Sequence, residues 1–229
     1  MTRWFVYINL FICIGVAGSC NNQERGWKSL FDGKTLSGWI DDKGACYIED
    51  NAIVGEMSKE MRYLRTENTY DNFILEIEFK VDSGVNSGVQ IRSDFLKEDK
   101  TCIYVAGGED LKASERTFKA GEFSGYQIEI ETTSRAWCGG FYEQSGRGWL
   151  QPLNHDEPSR KALKQDDWNH IRIIANKDHF QSWLNGAEAT DFFDNEATTG
   201  YIGFQLHNSK DEKMLGRKIR FRNIRIKEL

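Results

Sequence analysis

Apolar and polar residues alternate along many short stretches of this 229-residue chain. In residues 73–81 every odd position is apolar: Phe73, Leu75, Ile77, Phe79 and Val81. Successive side chains on a β-strand point to opposite faces, so this pattern predicts a strand with one buried face. Similar patterns predict further strands at 46–55, 87–94, 125–131, 170–176, 179–186, 200–208 and 219–229.

Turn residues separate these predicted strands, and signals for helices are few. Asn185-Gly186 stands between two apolar runs and is a strong signal for a tight β-hairpin, and residues 49–52 resemble it. Only residues 157–167 suggest a turn of helix. Many short strands with little helix predict an all-β sandwich or barrel.

Three of the predicted strands carry polar side chains on one face. Gln127, Glu129 and Glu131 alternate with apolar residues, and the same spacing recurs in two other strands, at Gln90, Arg92 and Asp94 and at Gln205 and His207. Amide and carboxylate groups bind sugar hydroxyls well, and aromatic rings such as Trp137, Tyr142 and Trp149 could cover a sugar ring. A face open to water would produce the same alternation.

The N-terminus has the features of a secretory signal peptide over residues 1–19. Arg3 precedes the apolar run 4–18, which is shorter than the roughly 20 residues that a membrane span requires. Residues 17–20, Ala-Gly-Ser-Cys, resemble a bacterial lipobox, although Ala17 replaces the usual Leu. We therefore expect lipidation at Cys20, a tether over 20–26, a single β-sandwich domain over 27–229, and a protein anchored in the cell envelope, periplasmic or on the outer-membrane surface. Ordinary secretion is the alternative.

Composition narrows the class of partner. The formal net charge is -5 and no basic patch is apparent, which argues against nucleic-acid binding. Aromatic residues make up 13% of the chain, which fits a folded domain and not a disordered one. Cys46, Cys102 and Cys138 allow at most one disulfide, and their spacing identifies no pair and no zinc site.

Several segments together resemble one known family. They lie at 26–39, 86–93, 126–131, 135–150, 166–173, 183–186, 200–208 and 221–229. In order and spacing they resemble the 3-keto-disaccharide hydrolase domain family over nearly the whole mature chain. The resemblance implies a concanavalin A-like fold, with two antiparallel sheets in a jelly roll and the ligand on the concave face. It also implies a Bacteroidetes-type lipoprotein acting on glycosides whose glucose C3 hydroxyl has been oxidised to a ketone.

Such a ketone acidifies the C2 hydrogen, so a base can remove that proton and the C1 aglycone can leave by β-elimination. Adding water afterwards gives net hydrolysis. His207 suits the base or acid, Arg92 suits the developing enolate oxygen, and Glu129 or Glu131 suits the second acid or base. The candidate substrate-binding residues are Gln205, Gln90, Trp137, Tyr142 and Asn86.

Alternatives remain open at this point. Glu129 and Glu131 could act as the paired carboxylates of a conventional glycosidase. The domain could instead be a non-catalytic carbohydrate-binding protein, or an envelope scaffold, because fold does not fix function. No cofactor is required, although a divalent metal is possible. A separate dehydrogenase would have to supply the ketone, and the aglycone, linkage and anomer stay undetermined.

Overall fold

The computed structural model describes residues 25–41, 43–107, 110–154 and 158–229. Within these ranges the chain forms seventeen strands: β1 Lys28–Ser29, β2 Trp39–Ile40, β3 Cys46–Glu49, β4 Ala52–Glu56, β5 Arg62–Tyr70, β6 Phe73–Val81, β7 Asn86–Phe95, β8 Lys100–Ala106, β9 Lys112–Phe118, β10 Phe123–Glu131, β11 Phe141–Gln144, β12 Gly148–Gln151, β13 Asn169–Asn176, β14 His179–Leu184, β15 Ala187–Phe193, β16 Gly200–Leu206 and β17 Lys218–Glu228. Two short 3-10 helices, Pro158–Lys161 and Glu212–Met214, complete the described secondary structure.

The strands form two sheets. The first has the order β15-β14-β13-β6-β17-β4-β3, with β1 paired to β17, and the second has the order β2-β5-β16-β7-β10-β11-β12-β8-β9. The strand pairs are antiparallel, apart from a parallel contact between β12 and β8. The predicted all-β, two-sheet class is therefore confirmed, and each stretch predicted to be extended contains a strand.

The core lies between the sheets and is built by the alternation seen in the sequence. The odd positions of β6 are almost completely buried, and Ile128 and Ile130 of β10 face them from the second sheet. Phe204 of β16 stacks on Phe221 of β17, with ring centroids 3.8 Å apart. Each such buried side chain contributes roughly 1.5–3 kcal/mol, so this face fixes how the two sheets pack.

Two hairpin turns behave as predicted. Asn185 and Gly186 have φ values of 49° and 86°, and Asp50 and Asn51 have values of 51° and 58°. Two successive positive φ values are typical of the type I′ turn, whose twist matches that of the flanking strands. The helical turn predicted within 157–167 is the 3-10 helix Pro158–Lys161.

A bulge in β7 overturns one prediction. Ser93 pairs with Tyr201 and Gln90 pairs with Gly203, so the pairing of β7 with β16 shifts between these positions. Arg92 has a φ of 46° and does not continue the face that carries Gln90. Its guanidinium donates to the carbonyl oxygens of Asp71 at 2.8 Å, Lys177 at 2.7 Å and Ala197 at 3.0 Å. Arg92 is thus tied into the loops at one end of the sandwich.

The segment 141–151, which was not among the predicted strands, forms a hairpin of two strands, β11 and β12. The predicted signal peptide 1–19, the predicted lipidation site Cys20 and most of the predicted tether lie outside the described residues. In the described part of the chain, Cys46, Cys102 and Cys138 are free thiols. No helix there is long and apolar enough to cross a membrane.

Candidate functional site

A buried ladder of polar side chains crosses the outer face of the second sheet, which we call the site face. Gln127 pairs with Gln90 across β10 and β7, and Glu129 lies two residues further along β10. Gln90 donates to the Gln127 carbonyl oxygen, and the Gln127 amide donates to Glu129 Oε2 at 2.8 Å. Because the opposite face of β10 packs in the core, these groups share one side, as the alternation predicted. They face neither bulk water nor the apolar core.

Glu129 is the most perturbed acid of this ladder. Its carboxyl is 4% exposed and accepts hydrogen bonds from the Asn86 and Gln127 amides. Burial raises the pKa of Glu129 to about 7, because the low-dielectric surroundings disfavour the charge more than the two amides stabilise it. The neighbouring Glu131 adds to the rise. At neutral pH this carboxyl is therefore poised to give or take a proton.

Glu131 is held differently from Glu129. Its carboxylate accepts from Arg135 Nη2 at 2.7 Å, from the Thr133 hydroxyl at 2.9 Å and from the Trp137 backbone N–H at 2.8 Å. The same Arg135 Nη2 lies 3.6 Å from Glu129 Oε1. Both oxygens of Glu131 thus accept hydrogen bonds. Arg135 also places a positive charge between Glu129 and Glu131. Glu131 anchors Arg135 and is not available as a second free carboxylate.

Sequence reasoning missed Arg135 because it lies in a loop with no periodic pattern. The available signal was its place in the 135–150 segment, four residues after Glu131. Its guanidinium lies 4.7 Å from the ring centroid of Trp137 and 4.9 Å from that of Trp149. Stacking on two indoles and pairing with Glu131 hold the guanidinium in a defined position.

An aromatic wall adjoins the ladder. Tyr142 lies opposite Gln127 in β11, and its hydroxyl is 3.1 Å from that of Tyr104. Trp149 makes edge-to-face contacts with Tyr142 and Trp137, at centroid distances of 5.3 and 4.7 Å. Burial, the Tyr104 hydrogen bond and the nearby Glu129 charge raise the pKa of Tyr142, so it stays a neutral phenol. The predicted candidates Trp137 and Tyr142 thus lie at the ladder.

The hairpin β11–β12 is fixed by a charged network on its other side. Glu143 accepts from the Arg147 backbone N–H at 3.0 Å and from Lys100 at 2.9 Å. Arg147 also donates to Asp194 at 2.8 Å. This network spans the turn of the hairpin, so it orients Tyr142, which lies next to Glu143.

Gly88 separates Glu129 from Gln205 on the site face. It pairs with Glu129 on one side and with Gln205 on the other, so those backbones lie about 10 Å apart at ordinary strand spacing. A Cβ at Gly88 would come within 2.5 Å of Gln127 Cγ and Cδ. Only glycine therefore allows the Gln127 side chain to lie across β7.

Gln205 contacts residues that line a cleft of about 480 Å³. Its amide donates to Gln144 Oε1 at 3.1 Å and lies near the Tyr63 hydroxyl, and both Gln144 and Tyr63 line that cleft. The Gln205 carbonyl oxygen is buried and has no hydrogen-bond partner among the described residues. Burial raises the pKa of Tyr63 to about 12, which keeps its hydroxyl protonated. A free acceptor beside neutral donors suits a hydroxyl-rich ligand.

His207 follows β16 immediately and is half-buried. Leu206 pairs with Ser87, so the register carries His207 toward Asn86. Its Nδ1 lies 2.7 Å from the Asn208 carbonyl oxygen, which requires a proton on Nδ1 and leaves the Nε2 lone pair of the neutral ring free. Across the described residues, no hydrogen bond joins His207 to the two glutamates, and no cluster of His, Cys, Asp or Glu has a metal-site arrangement.

The structure thus brings together Glu129, Glu131, Asn86, Gln90, Tyr142 and Trp137, with Arg135 as an added member. Gln205 lies on the same face beyond Gly88, and His207 lies past the end of its strand. Arg92, expected on this face, is turned into the loops by the β7 bulge.

The fold has counterparts among solved structures. One is a candidate glycosyl hydrolase from Parabacteroides distasonis ATCC 8503, with 20% identity, a TM-score of 0.58, and coverage of 89% of this chain and 94% of that one. A carbohydrate-binding module from Bacillus subtilis has 14% identity, a TM-score of 0.56, and coverage of 83% and 96%. A Bacillus subtilis protein described as galectin-like has 13% identity, a TM-score of 0.56, and coverage of 88% and 98%.

These low identities establish the fold alone, which is the lectin-like jelly roll expected from the resemblance. A search of curated proteins found no match to this chain. The family model for the 3-keto-alpha-glucoside-1,2-lyase-like domain matches residues 26–227, which is most of the chain. The resemblance seen in the sequence segments is confirmed by that match, and this protein belongs to the 3-keto-alpha-glucoside-1,2-lyase-like domain family.

Proposed function

We propose that this protein cleaves the glycosidic bond of 3-keto-glucosides by β-elimination, with hydration as a following step. The observation that carries the proposal is Glu129, a buried carboxyl with a pKa of about 7, 3.6 Å from the Arg135 guanidinium. Elimination next to a ketone needs a base, a cation for the enolate oxygen and an acid for the leaving oxygen. The site face supports all three roles.

The chemistry proceeds in two steps. The base takes the proton from C2, and its electron pair forms the C2=C3 double bond while the C3 oxygen gains negative charge. The C3 carbonyl then re-forms, a double bond forms between C1 and C2, and the C1–O bond breaks with its electrons on the leaving oxygen. The acid protonates that oxygen. Adding water across C1=C2 then gives the free 3-keto sugar.

Roles follow from the surroundings of each group. His207 Nε2 is the base, because a hydrogen bond from Nδ1 to the Asn208 carbonyl oxygen holds the ring in the required tautomer. Arg135 replaces Arg92 as the cation for the enolate oxygen. Glu129, which is about half protonated at neutral pH because its pKa is about 7, is the acid, and Asn86 keeps its carboxyl in place.

Substrate contacts are assigned by position along the site face. Trp137 and Tyr142 form the wall beside the reacting ring. Gln90 acts through Gln127 by fixing the amide that touches Glu129. Gln205, on the far side of Gly88, is assigned to hydroxyls of the second sugar or aglycone.

Conventional glycosidase chemistry fits less well. It requires two carboxyl groups that both reach the anomeric carbon or its water. Glu131 is 1% exposed and accepts from Arg135, Thr133 and the Trp137 N–H, so it has no oxygen left for substrate.

The cellular setting follows from the N-terminus. We propose that the protein is exported and held in the cell envelope by a lipid on Cys20. A glycoside is normally unoxidised, so a dehydrogenase on another chain must supply the 3-keto substrate.

The test uses the purified protein with 4-nitrophenyl 3-keto-α-glucoside and the unoxidised 4-nitrophenyl α-glucoside, with and without EDTA. We expect nitrophenol release from the ketone alone, and none from a His207→Ala variant purified in the same way. Loss of release with EDTA would add a metal ion. Release from the unoxidised glucoside would instead support direct hydrolysis. Saturable binding of either compound without release would make this a carbohydrate-binding protein.

A further inference from the structure

A second, smaller pocket of about 190 Å³ adjoins the site, and its lining includes Arg135, Trp137, Leu153, Asn154 and Arg160. We propose that this pocket binds a carboxylate carried by the substrate, so that the preferred 3-keto-glycosides are acidic ones. The inference rests on the proposed function, because Arg135 joins the pocket to Glu129.

One of the residues that line the pocket carries a buried hydrogen-bond donor without a partner. The Trp137 side chain is only 5% exposed, and its indole N–H has no hydrogen-bond partner within the described ranges. Leaving such a donor unpaired costs about 1–3 kcal/mol, so a ligand oxygen that accepts from it is stabilised. The indole ring itself is held between the Arg135 guanidinium and the Trp149 ring, each 4.7 Å from its centroid.

The charges of the described lining residues favour an anion. Arg135 is paired with Glu131, whereas Arg160 has one hydrogen bond to the described residues, from Nη1 to the Leu153 carbonyl oxygen at 3.3 Å. Among the described lining residues none is acidic. Arg160, which has no acidic partner among the described residues, lines the pocket together with Trp137. Guanidinium groups bind the two oxygens of a planar carboxylate through paired hydrogen bonds.

The size of the pocket limits what it can hold. About 190 Å³ accommodates a carboxylate with its adjoining carbons, but not a whole disaccharide. The reacting ring must therefore lie outside, over Glu129 and Arg135, with the acidic group reaching in past Arg135. That group is either on the aglycone or at C6 of the oxidised sugar.

Two matched substrate pairs distinguish these sources. The first is 4-carboxyphenyl 3-keto-α-glucoside and its methyl ester, which differ in charge on the aglycone. The second is phenyl 3-keto-α-glucuronide and phenyl 3-keto-α-glucoside, which differ at C6. In one of the two pairs we expect the KM of the acidic member to be about tenfold lower than that of the neutral member, because the neutral member cannot form the charge-assisted hydrogen bond.

Variants tie that preference to the pocket. Arg160→Gln should bring the KM ratio close to one while leaving turnover of the neutral members unchanged. Lys161→Gln removes the same charge from the adjacent residue of the 3-10 helix, which does not line the pocket, and should keep the preference. Trp137→Phe removes the indole N–H and should raise the KM of the acidic member severalfold.

Equal KM values within both pairs, or equal losses in Arg160→Gln and Lys161→Gln, would overturn the pocket assignment while leaving elimination intact. If no compound is cleaved, the proposed function fails, and calorimetric binding of the same pairs still tests the pocket. Tighter binding of an acidic member than of its neutral counterpart, lost in Arg160→Gln, would support the pocket assignment. Equal binding of the two members in both pairs would overturn it.

Discussion

At the scale of single residues, the site depends on the different surroundings of two neighbouring glutamates, Glu129 and Glu131. Both are buried on β10, yet Glu131 is neutralised by Arg135, whereas Glu129 has only amide donors in direct contact and a more distant guanidinium. Desolvation therefore dominates at Glu129 and raises its pKa to about 7. An acid that is half protonated at neutral pH is what general acid catalysis requires.

The pH dependence of cleavage tests this assignment. If Glu129 donates a proton to the leaving oxygen, kcat/KM should fall as pH rises through about 7, because only the protonated form acts. Glu129→Gln should lower kcat/KM by about 10²–10⁴-fold and remove that limb of the profile. Glu188→Gln, a change in a different sheet, should leave both unchanged. An unaltered profile in Glu129→Gln would exclude Glu129 as the acid.

Substitution of Arg92 is expected to affect stability, whereas substitution of Arg135 is expected to affect catalysis. Arg92 satisfies three loop carbonyls, so Arg92→Lys should lower the free energy of unfolding by about 2–4 kcal/mol in urea titrations, with kcat/KM within threefold of wild type. Arg135→Lys keeps the positive charge but loses the paired N–H donors of the guanidinium, and should lower kcat by about 10²-fold. A large loss of kcat in folded Arg92→Lys would return Arg92 to the mechanism.

Residue positions on regular strands could be predicted, and positions set by irregular backbone could not. Alternation placed Gln127, Glu129 and Glu131 on one face because each lies in an unbroken strand. Arg92 was misplaced because one bulge reverses the alternation beyond it. Arg135 was missed because its position depends on the loop that returns from β10 to β11.

At the scale of elements, the ladder exists because β7 and β10 pair in a single register. Gln127 lies opposite Gln90, and Glu129 lies opposite Gly88. A shift of one residue would turn every polar group into the core. The glycine is as necessary as the amides, since Gln127 occupies the space that a side chain at position 88 would need.

A double-mutant cycle tests that packing. Gly88→Ala should lower the free energy of unfolding by about 1–3 kcal/mol, because its Cβ collides with Gln127. In a Gln127→Ala background the colliding atoms are gone, so the same substitution should cost less than half as much. Both free energies come from urea unfolding. Equal costs in the two backgrounds would mean that Gly88 serves another purpose.

The elements that sequence patterns failed to predict are the short ones. β11 and β12 have four residues each, and Gly146 and Gly148 between or within them favoured a loop. Their pairing is stabilised by Glu143 and Arg147 together with Asp194, which lies 47 residues beyond Arg147 and cannot be paired with it by inspection. Long strands such as β6 were predicted because nine alternating positions leave little ambiguity.

At the scale of the whole molecule, the two sheets have different roles. The first sheet and the inner face of the second provide the core, with Phe204 on Phe221 as one contact between them. The outer face of the second sheet carries the polar ladder. The family and the jelly roll could be predicted from ordered segments, whereas the site also depends on loops and side-chain contacts that no pattern encodes.

Anchoring belongs to this scale as well. If Cys20 is lipidated, the full chain expressed in a bacterial host with a lipoprotein pathway should sediment with membranes and incorporate labelled fatty acid. Cys20→Ala should shift it to the soluble fraction with unchanged kcat/KM, because Cys20 precedes the residues 26–227 that the family model matches and is not among the proposed site residues. Membrane sedimentation of Cys20→Ala would contradict the lipid anchor.

The most direct test of the central claim is the rate of cleavage of a 3-keto-α-glucoside carrying deuterium at C2. Elimination breaks the C2–H bond, so kcat/KM should be clearly lower for the deuterated substrate, and the released sugar should be the C1=C2 unsaturated ketone or its hydrate with the C2 label lost. Equal rates with the deuterium retained at C2 would mean that the glycosidic bond breaks without proton abstraction, and would contradict the account.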